Sequence, residues 1–547
     1  MAFMCDRSSA EFTEAANDWN LDKLYADLAQ AKQVLAAYKR RELTETEKLH
    51  LRGLLCGYSP AAMAQKLHKT PRGVEADLSK TLYRYVENLS KRNPNSLSNW
   101  RNIIDWLAEY RKSPSIKPYQ DWGEAPDVPV FFGRQEELKT LKEWILSDRC
   151  RLLTMFGMGG IGKTALTVKL IQQLQDSFEF VIWRSLRHAP PFEEILTNLI
   201  LSLSQRVTTD YSLISTISLS RLIEYLRKHR CLIVLDNYEG VLRGGNLAGQ
   251  HLQGYEKYGE LLRIAGQSNH QSCLVITSRE KPQEFISLSR EGFAVRCKEL
   301  DGLKLPDAQE LLQVQGLSYQ KECGNLIDSY RGNPLALKLV CHTIKNLFEG
   351  NIKQFLAQNT LVIGEIFRNL LDEQFDRLSV LEKEIMYWLA IENRLCFPLR
   401  MQEKILLTVS RSESIEALES LSRRSLVEKN IEGESVLFTL QPLVMRYVTK
   451  HLIVQVYEEI LQAISYQNVD NFERLRNHAL VTSADEDSEV NAIQLRLIIT
   501  PIKNKLKEFF REESRIAYYF NQILFMLQDK SPHFVGYARE NILNLLK

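Results

Sequence analysis

GMGGIGKTAL, residues 157–166, follows the apolar run RLLTMF and leads into TVKLIQQL. Gly157, four residues, then Gly162-Lys163-Thr164 fit the pattern of a phosphate-binding loop between a strand and a helix. Glycines let successive backbone N–H groups turn toward one phosphate, and the helix that follows offers its positive end. Lys163 supplies a mobile point charge for β- and γ-phosphates, and Thr164 a hydroxyl for Mg²⁺. Gly157, Met158, Gly159, Gly160, Ile161, Gly162, Lys163, Thr164 and Ala165 are therefore the expected nucleotide-binding set, with ATP or ADP and Mg²⁺ as its cofactors.

Outward from this loop the texture from 131 to about 303 is uniform. RLLTMF, FVIWRSL, CLIVLDN, SCLVITSR and FAVRCKEL are five short apolar runs separated by amphipathic stretches. That alternation predicts a parallel sheet covered by helices on both faces. Ligands collect at the C-terminal edge of such a sheet. Asp236, closing CLIVLD, is the expected metal-organising acid on a strand neighbouring the loop's own, so Thr164 and Asp236 form the expected metal pair. Asn237 stands where many ATPases carry a second acid, and asparagine cannot take a proton. Glu239, two residues on, is the substitute candidate for polarising water. Arg279 leaves the end of SCLVITSR, where a guanidinium can read the γ-phosphate that separates ATP from ADP. Asp236, Glu239 and Arg279 are the candidate catalytic residues.

At 547 residues the chain is long enough for three or four domains. A composition of 44% hydrophobic and 25% charged residues excludes a disordered or fibrous chain, and a net charge of +2 carries no message about partners. The nine cysteines form no CxxC pair, and several lie in apolar runs, which predicts a reducing compartment with neither disulfides nor zinc. With no apolar leader and no apolar run of membrane-spanning length, the expected location is the cytoplasm, with no membrane partner.

Residues 1–110 read as a helical, helix-turn-helix-like domain. Leucines 49, 51, 54 and 55 precede the turn Gly57-Tyr58-Ser59-Pro60, and a second break at Lys69-Thr70-Pro71 opens the candidate recognition helix TPRGVEADLSKTLYRYVENL. Its Arg72, Lys80 and Arg84 are offset by Glu75, Asp77 and Glu87, so a protein partner or effector is favoured over DNA. Residues 111–127, with their prolines, read as a linker, and 128–303 as the P-loop NTPase domain. Beyond it, 304–365 reads as a helical subdomain and 366–452 as a winged helix, three helices and then two β-prone runs about Gly433. The segment 453–547 reads as helical, interrupted by the acidic loop TSADEDSEV. The expected fold class is multidomain α/β plus α.

FFGRQEELKTLKEWI, GMGGIGKTAL, CLIVLDN, CLVITSR and GNPLALKLV, in that order over about 128–450, resemble the NB-ARC module. This is the nucleotide switch of apoptotic-protease activators, plant disease-resistance proteins and bacterial STAND-class regulators. Together with GYARENILNLL (536–546), the N-terminal domain is similar to that of the large cyanobacterial regulators that continue into WD-type or other repeats. The sequence stops where such repeats would begin, so it is expected either to be a fragment or to rely on another protein for sensing. The resemblance implies that Phe132, Gly133 and Arg134 border an adenine pocket. It also implies that Gly332 and Pro334 turn the helical subdomain onto the nucleotide. FTLQPLVMRYV (438–448) matches the family's Met-His-Asp segment, with Gln441 for the histidine that touches the β-phosphate of ADP and Pro442 for the aspartate. Glutamine can still donate, so a weaker lock is implied. With Asn237 in place of an acid, the expected behaviour is a latch: slow hydrolysis, an ADP-held closed form, and opening or self-oligomerisation with ATP. The rival reading is a nucleotide-regulated DNA-binding transcription regulator.

Overall fold

The computed structural model describes residues 11–35, 42–97, 99–111, 118–204, 217–290, 292–358, 361–396, 404–405, 409–432, 435–482 and 488–547. They fall into two compact units, Met1–Lys117 and Pro118–Lys547.

The first unit is helical. The turn signals of the sequence become helix caps. Thr44 and Glu47 form a capping box at Glu45–Leu55, Ser59 caps Pro60–Lys66, and Thr70 caps Pro71–Lys80. Leu51, Leu54, Met63, Val74, Leu78 and Leu82 fill its core. The candidate recognition helix is not continuous. At Thr81 the backbone leaves the helical region (φ −130°, ψ −90°), the side-chain hydroxyl bonds back to the Asp77 carbonyl, and a new helix runs over Leu82–Leu89.

In the second unit a six-stranded parallel sheet has the order β1-β3-β4-β5-β2-β6. The strands are β1 (Tyr119–Asp121), β2 (Leu152–Phe156), β3 (Phe180–Ser185), β4 (Cys231–Asp236), β5 (Cys273–Ser278) and β6 (Val295–Glu299). Alternate residues serve opposite faces. Ile182, Ile233, Leu235 and Ile276 enter one buried cluster, while Val181, Trp183, Leu232, Val234 and Val275 enter another. Both faces are covered, as the near-continuous apolar runs require.

Two expectations need correction here. Residues 119–121 lie inside the predicted linker, yet they pair in parallel with Phe180–Ile182 as the sheet's edge strand. Three polar or aromatic residues among prolines carry no period that would reveal a strand. The predicted neighbour relation of the loop strand and the Asp236 strand also fails: β5 lies between β2 and β4.

Helix α1 (Lys163–Leu174) follows the loop after β2. The later helices that bear on the site are α2 (Pro334–Phe348), α3 (Glu365–Asp376), α4 (Val380–Glu392), α5 (Arg411–Arg423), α6 (Pro442–Tyr466) and α7 (Thr500–Phe510). Strands β7 (Val427–Glu432) and β8 (Ser435–Leu440) form an antiparallel hairpin between α5 and α6. Gly433 and most of the acidic loop, residues 483–487, lie outside the described residues. The expected boundary at 452 falls inside α6, which runs unbroken for 25 residues. Its buried face, with Val448, Leu452, Val456 and Ile460, joins one apolar core shared by the helices on both sides of that boundary. Among the described residues no helix is long and apolar enough to cross a membrane.

Candidate functional site

The backbone between β2 and α1 turns through the left-handed region at Gly160 (φ 77°) and Gly162 (φ 99°). A β-carbon on Gly160 would lie 2.9 Å from Cβ of Leu335, so glycine is required there both by conformation and by packing. At Gly162, the residue capping α1, no heavy atom of the described residues other than its own chain neighbours lies within 4 Å of the position a β-carbon would take. The helix N-terminus thus opens onto free space, a cradle that fits a phosphate. Met158 and Ile161 are buried beneath it, and Ala165 packs against the core under the first turn of α1.

Lys163 is buried, and its Nζ donates to the carbonyls of Gly157 (2.8 Å) and Met158 (3.1 Å). Burial pushes the ammonium down to about 8. Glu239 and Asp236 pull it up and Arg279 pushes it further down, none of them as strongly as burial.

Thr164 and Asp236 do meet, although β5 separates their strands. Thr164 lies in the first turn of α1 and its Oγ1 donates to Asp236 Oδ1 at 3.0 Å. Thr277, on the intervening strand, donates to the same oxygen, and Asn237 Nδ2 donates to Oδ2 at 3.3 Å. Burial raises the Asp236 carboxyl, and the two threonine hydroxyls partly offset that. One hydroxyl beside one carboxylate is the donor set a Mg²⁺ ion takes from a protein while keeping water and phosphate oxygens. These residues fit the ion.

Glu239 and Arg279, expected in separate roles, are paired with each other. Arg279 Nε lies 3.2 Å from Glu239 Oε1, and its backbone N–H donates to Oε2 at 3.1 Å. The same guanidinium reaches Glu373 on α3 through Nη1 at 2.9 Å. A cavity of about 980 Å³ is lined by Thr164, Asp236, Asn237, Glu239, Arg279 and Glu373, among others.

Across the loop, a second cavity of about 580 Å³ is lined by residues including Met158, Ile161, Asp301, Asn333, Ser425 and Gln441. Gln441 precedes α6, with its Nε2 3.5 Å from the Ser425 carbonyl. Phe132 is buried in the apolar core with Met158 and Leu303. A β-carbon on Gly133 would lie 2.2 Å from Asp307. Arg134 turns its guanidinium inward, donating to the carbonyls of Ile161 (3.3 Å) and Asp301 (2.5 Å) and pairing with Glu137 (2.9 Å). Arg134 thus braces the phosphate loop from behind.

Pro334 is the first residue of α2, and Asn333 caps that helix by accepting from the N–H groups of Leu335 and Ala336. Asn333 also donates from Nδ2 to the Gly159 carbonyl at 3.1 Å, while the Leu335 N–H reaches the Gly160 carbonyl at 3.4 Å. Asn333 is not among the expected site residues, although an asparagine before a helix-opening proline is an N-cap signal. Nor does the sequence mark Gln374 of α3, a buried residue whose Oε1 has no hydrogen-bond partner among the described residues and faces Gly159.

Also unforeseen is a buried ionic network beside Arg279. Glu280 Oε1 accepts from Arg377 Nε at 2.5 Å and lies 2.5 Å from Nη1 of Arg424. Arg424 in turn reaches Glu382 at 3.2 Å and the Asn246 carbonyl at 2.7 Å. Ser420 connects the same elements, donating to Glu382 at 2.6 Å and accepting from the Ala248 N–H at 2.6 Å. No spacing in the sequence joins residues so far apart along the chain.

The family model of the NB-ARC domain matches residues 134–239. An uncharacterized WD repeat-containing protein of Nostoc sp. is 41% identical over 472 residues, which are 79% of this chain and 37% of that protein. The chain thus spans little more than a third of that relative's length. The disease resistance protein RPS5 of Arabidopsis thaliana is 33% identical over 69 residues, 12% of this chain and 8% of that protein. Among solved structures, a STAND protein with a tetratricopeptide repeat sensor from Pyrococcus horikoshii aligns with 78% of this chain and 59% of its own, at 18% identity and a TM-score of 0.31.

Proposed function

This chain belongs to the NB-ARC, STAND-class P-loop NTPases, and on that premise we propose that it is an ADP/ATP-dependent switch for signal transduction. The observation that carries the reading is the contact between the phosphate loop and α2, in which Asn333 bonds the loop backbone at Gly159 while capping its own helix. A nucleotide gripped at this loop acts on a surface that the helical subdomain already touches.

Lys163 and the N–H groups of residues 157–165 hold the β- and γ-phosphates. Thr164 and Asp236 would hold Mg²⁺, which would supply positive charge to neutralise the phosphates. Arg279 is the discriminating group. With ADP its guanidinium stays with Glu239 and Glu373, joining the end of β5 to α3. A γ-phosphate competes for that guanidinium and loosens its hold on Glu373. Glu280, the next residue, binds Arg377 and Arg424 and so ties the same strand end to the end of α3 and the end of α5. The segment α3–α5 with β7 and β8 is read as a winged helix packed on the NTPase sheet instead of on DNA. A differential of about 3 kcal/mol between the two nucleotides is enough to change the population usefully.

Hydrolysis is slow in this reading, since Asn237 cannot take a proton and Glu239 is engaged by Arg279. The released surfaces serve self-association or a protein effector. In the N-terminal unit the exposed residues of Pro71–Lys80 include Arg72, Glu75, Asp77 and Lys80, a mixed face that supports a protein partner over a phosphate backbone.

The test is small-angle scattering of the purified chain with ADP and with a non-hydrolysable ATP analogue, beside Lys163→Ala. A larger radius with the ATP analogue, absent in the variant, is expected. Identical profiles with both nucleotides at saturation would refute the switch.

A further inference from the structure

A cavity of about 510 Å³ lies among α3, α6 and α7, and four cationic side chains line it: Arg368 from α3, Arg446 and Lys450 from α6, and Lys505 from α7. Tyr447 and Pro501 contribute apolar wall. The acid in this wall is Asp372, and it already accepts the Tyr447 hydroxyl at 2.5 Å. Among the described residues no carboxylate lies within ion-pair distance of Arg368, Lys450 or Lys505.

Like charges gathered in a partly dry space repel one another. Burial holds the Lys450 ammonium below its ordinary value, and Arg446 and Arg368 push it further in the same direction. An anion reverses that cost, because Arg368 and Lys450 then gain a counter-charge. The volume is that of a small-molecule pocket, well short of a groove for a nucleic acid strand. It is also separate from the nucleotide site. On α3, Leu370 and Gln374 face Gly159 of the phosphate loop, whereas Arg368 and Asp372 face this cavity, and each pair is four residues apart on its own side of the helix.

We propose that this cavity is a second ligand site, for an organic anion carrying two negative charges on an apolar or aromatic body, as in a phosphate monoester.

The probe is 1-naphthyl phosphate, titrated calorimetrically into the full chain with ADP and Mg²⁺ saturating the phosphate loop. Binding is expected to weaken at least tenfold in Arg368→Gln/Lys450→Gln, and the neutral 1-naphthol is expected to bind at least tenfold more weakly than the ester. Lys163→Ala, which disables the nucleotide site, is expected to retain the probe. Both substituted side chains are partly open to solvent; should the double variant melt early, Lys505→Gln on the third helix gives the same readout. The proposal is overturned if no heat is seen at millimolar probe, if the cation variants bind as the parent does, or if naphthol binds as tightly as its ester. Loss of the probe in Lys163→Ala would likewise overturn it, by assigning the probe to the phosphate loop.

Discussion

Raising the pH from 7 to 9 should weaken ADP binding about tenfold, through Lys163 alone. In the free protein burial brings this ammonium down to about 8. Beside a diphosphate it stays charged to at least its ordinary value of about 10.4. The charged form is the one that binds, so affinity is fully present below pH 8 and is lost as pH rises through it. The apparent dissociation constant scales as one plus the ratio of neutral to charged lysine. That factor is about 1.1 at pH 7 and about 11 at pH 9, with binding at pH 9 taking up about 0.9 proton. The stability of the free protein runs the other way. A lysine whose folded value lies below its unfolded one destabilises the fold while charged, and that cost, about 3 kcal/mol, fades between pH 8 and 10.5. Calorimetry in two non-phosphate buffers of different ionisation enthalpy measures both affinity and proton uptake. The ADP phosphates are already ionised over this range. Lys163→Arg, charged throughout, should bind less well but with a flat profile. Affinity constant within twofold from pH 7 to 9, with no proton uptake, would refute the reasoning.

Arg424→Ala leaves Glu280 and Glu382 buried without their shared cation, and should cost about 3–5 kcal/mol in urea unfolding monitored on the C-terminal helices. A loss under about 1 kcal/mol means the network is not dry. Glu239→Gln should change single-turnover ATP cleavage by less than about tenfold, because this carboxylate serves Arg279; a fall of about 10²–10⁴ would make it the general base. Gly160→Ala forces a left-handed residue against Leu335 and should cost about 1–3 kcal/mol together with nucleotide retention; an unaltered melting curve argues against the packing described.

What was legible in the sequence is what local chemistry dictates. The five apolar runs became five strands in place, and the loop pattern sits between β2 and α1 as its glycines require. The turns at Ser59-Pro60 and Thr70-Pro71 became caps because Ser and Thr followed by Pro satisfy helix N-termini wherever they stand. Strand order was not legible, since pairing is non-local, and so Asp236 was placed one strand too close to the loop. Tyr119–Asp121 was missed because three residues have no periodicity to read. Position along the chain singles out Glu239 and Arg279 as candidates, but their mutual pairing depends on how the turn after β4 meets the end of β5. The Arg424 cluster depends on packing between elements far apart in the chain. Gln441 and Pro442 depart from the motif they resemble, and they also open the 25-residue α6, Gln441 as the residue before it and Pro442 as its first, where proline is favourable.

Arg279 and Glu280 leave the end of β5 in succession and clasp different neighbours. A single peptide unit therefore separates the side chain proposed to meet the outermost phosphate from the one that anchors the far helices. Any rotation of that unit reorients both at once, with no intervening chain of residues to dissipate it. Repairing a defect at either position should accordingly demand a compensating change at the other, and suppressor screens begun from one ought to return its immediate neighbour.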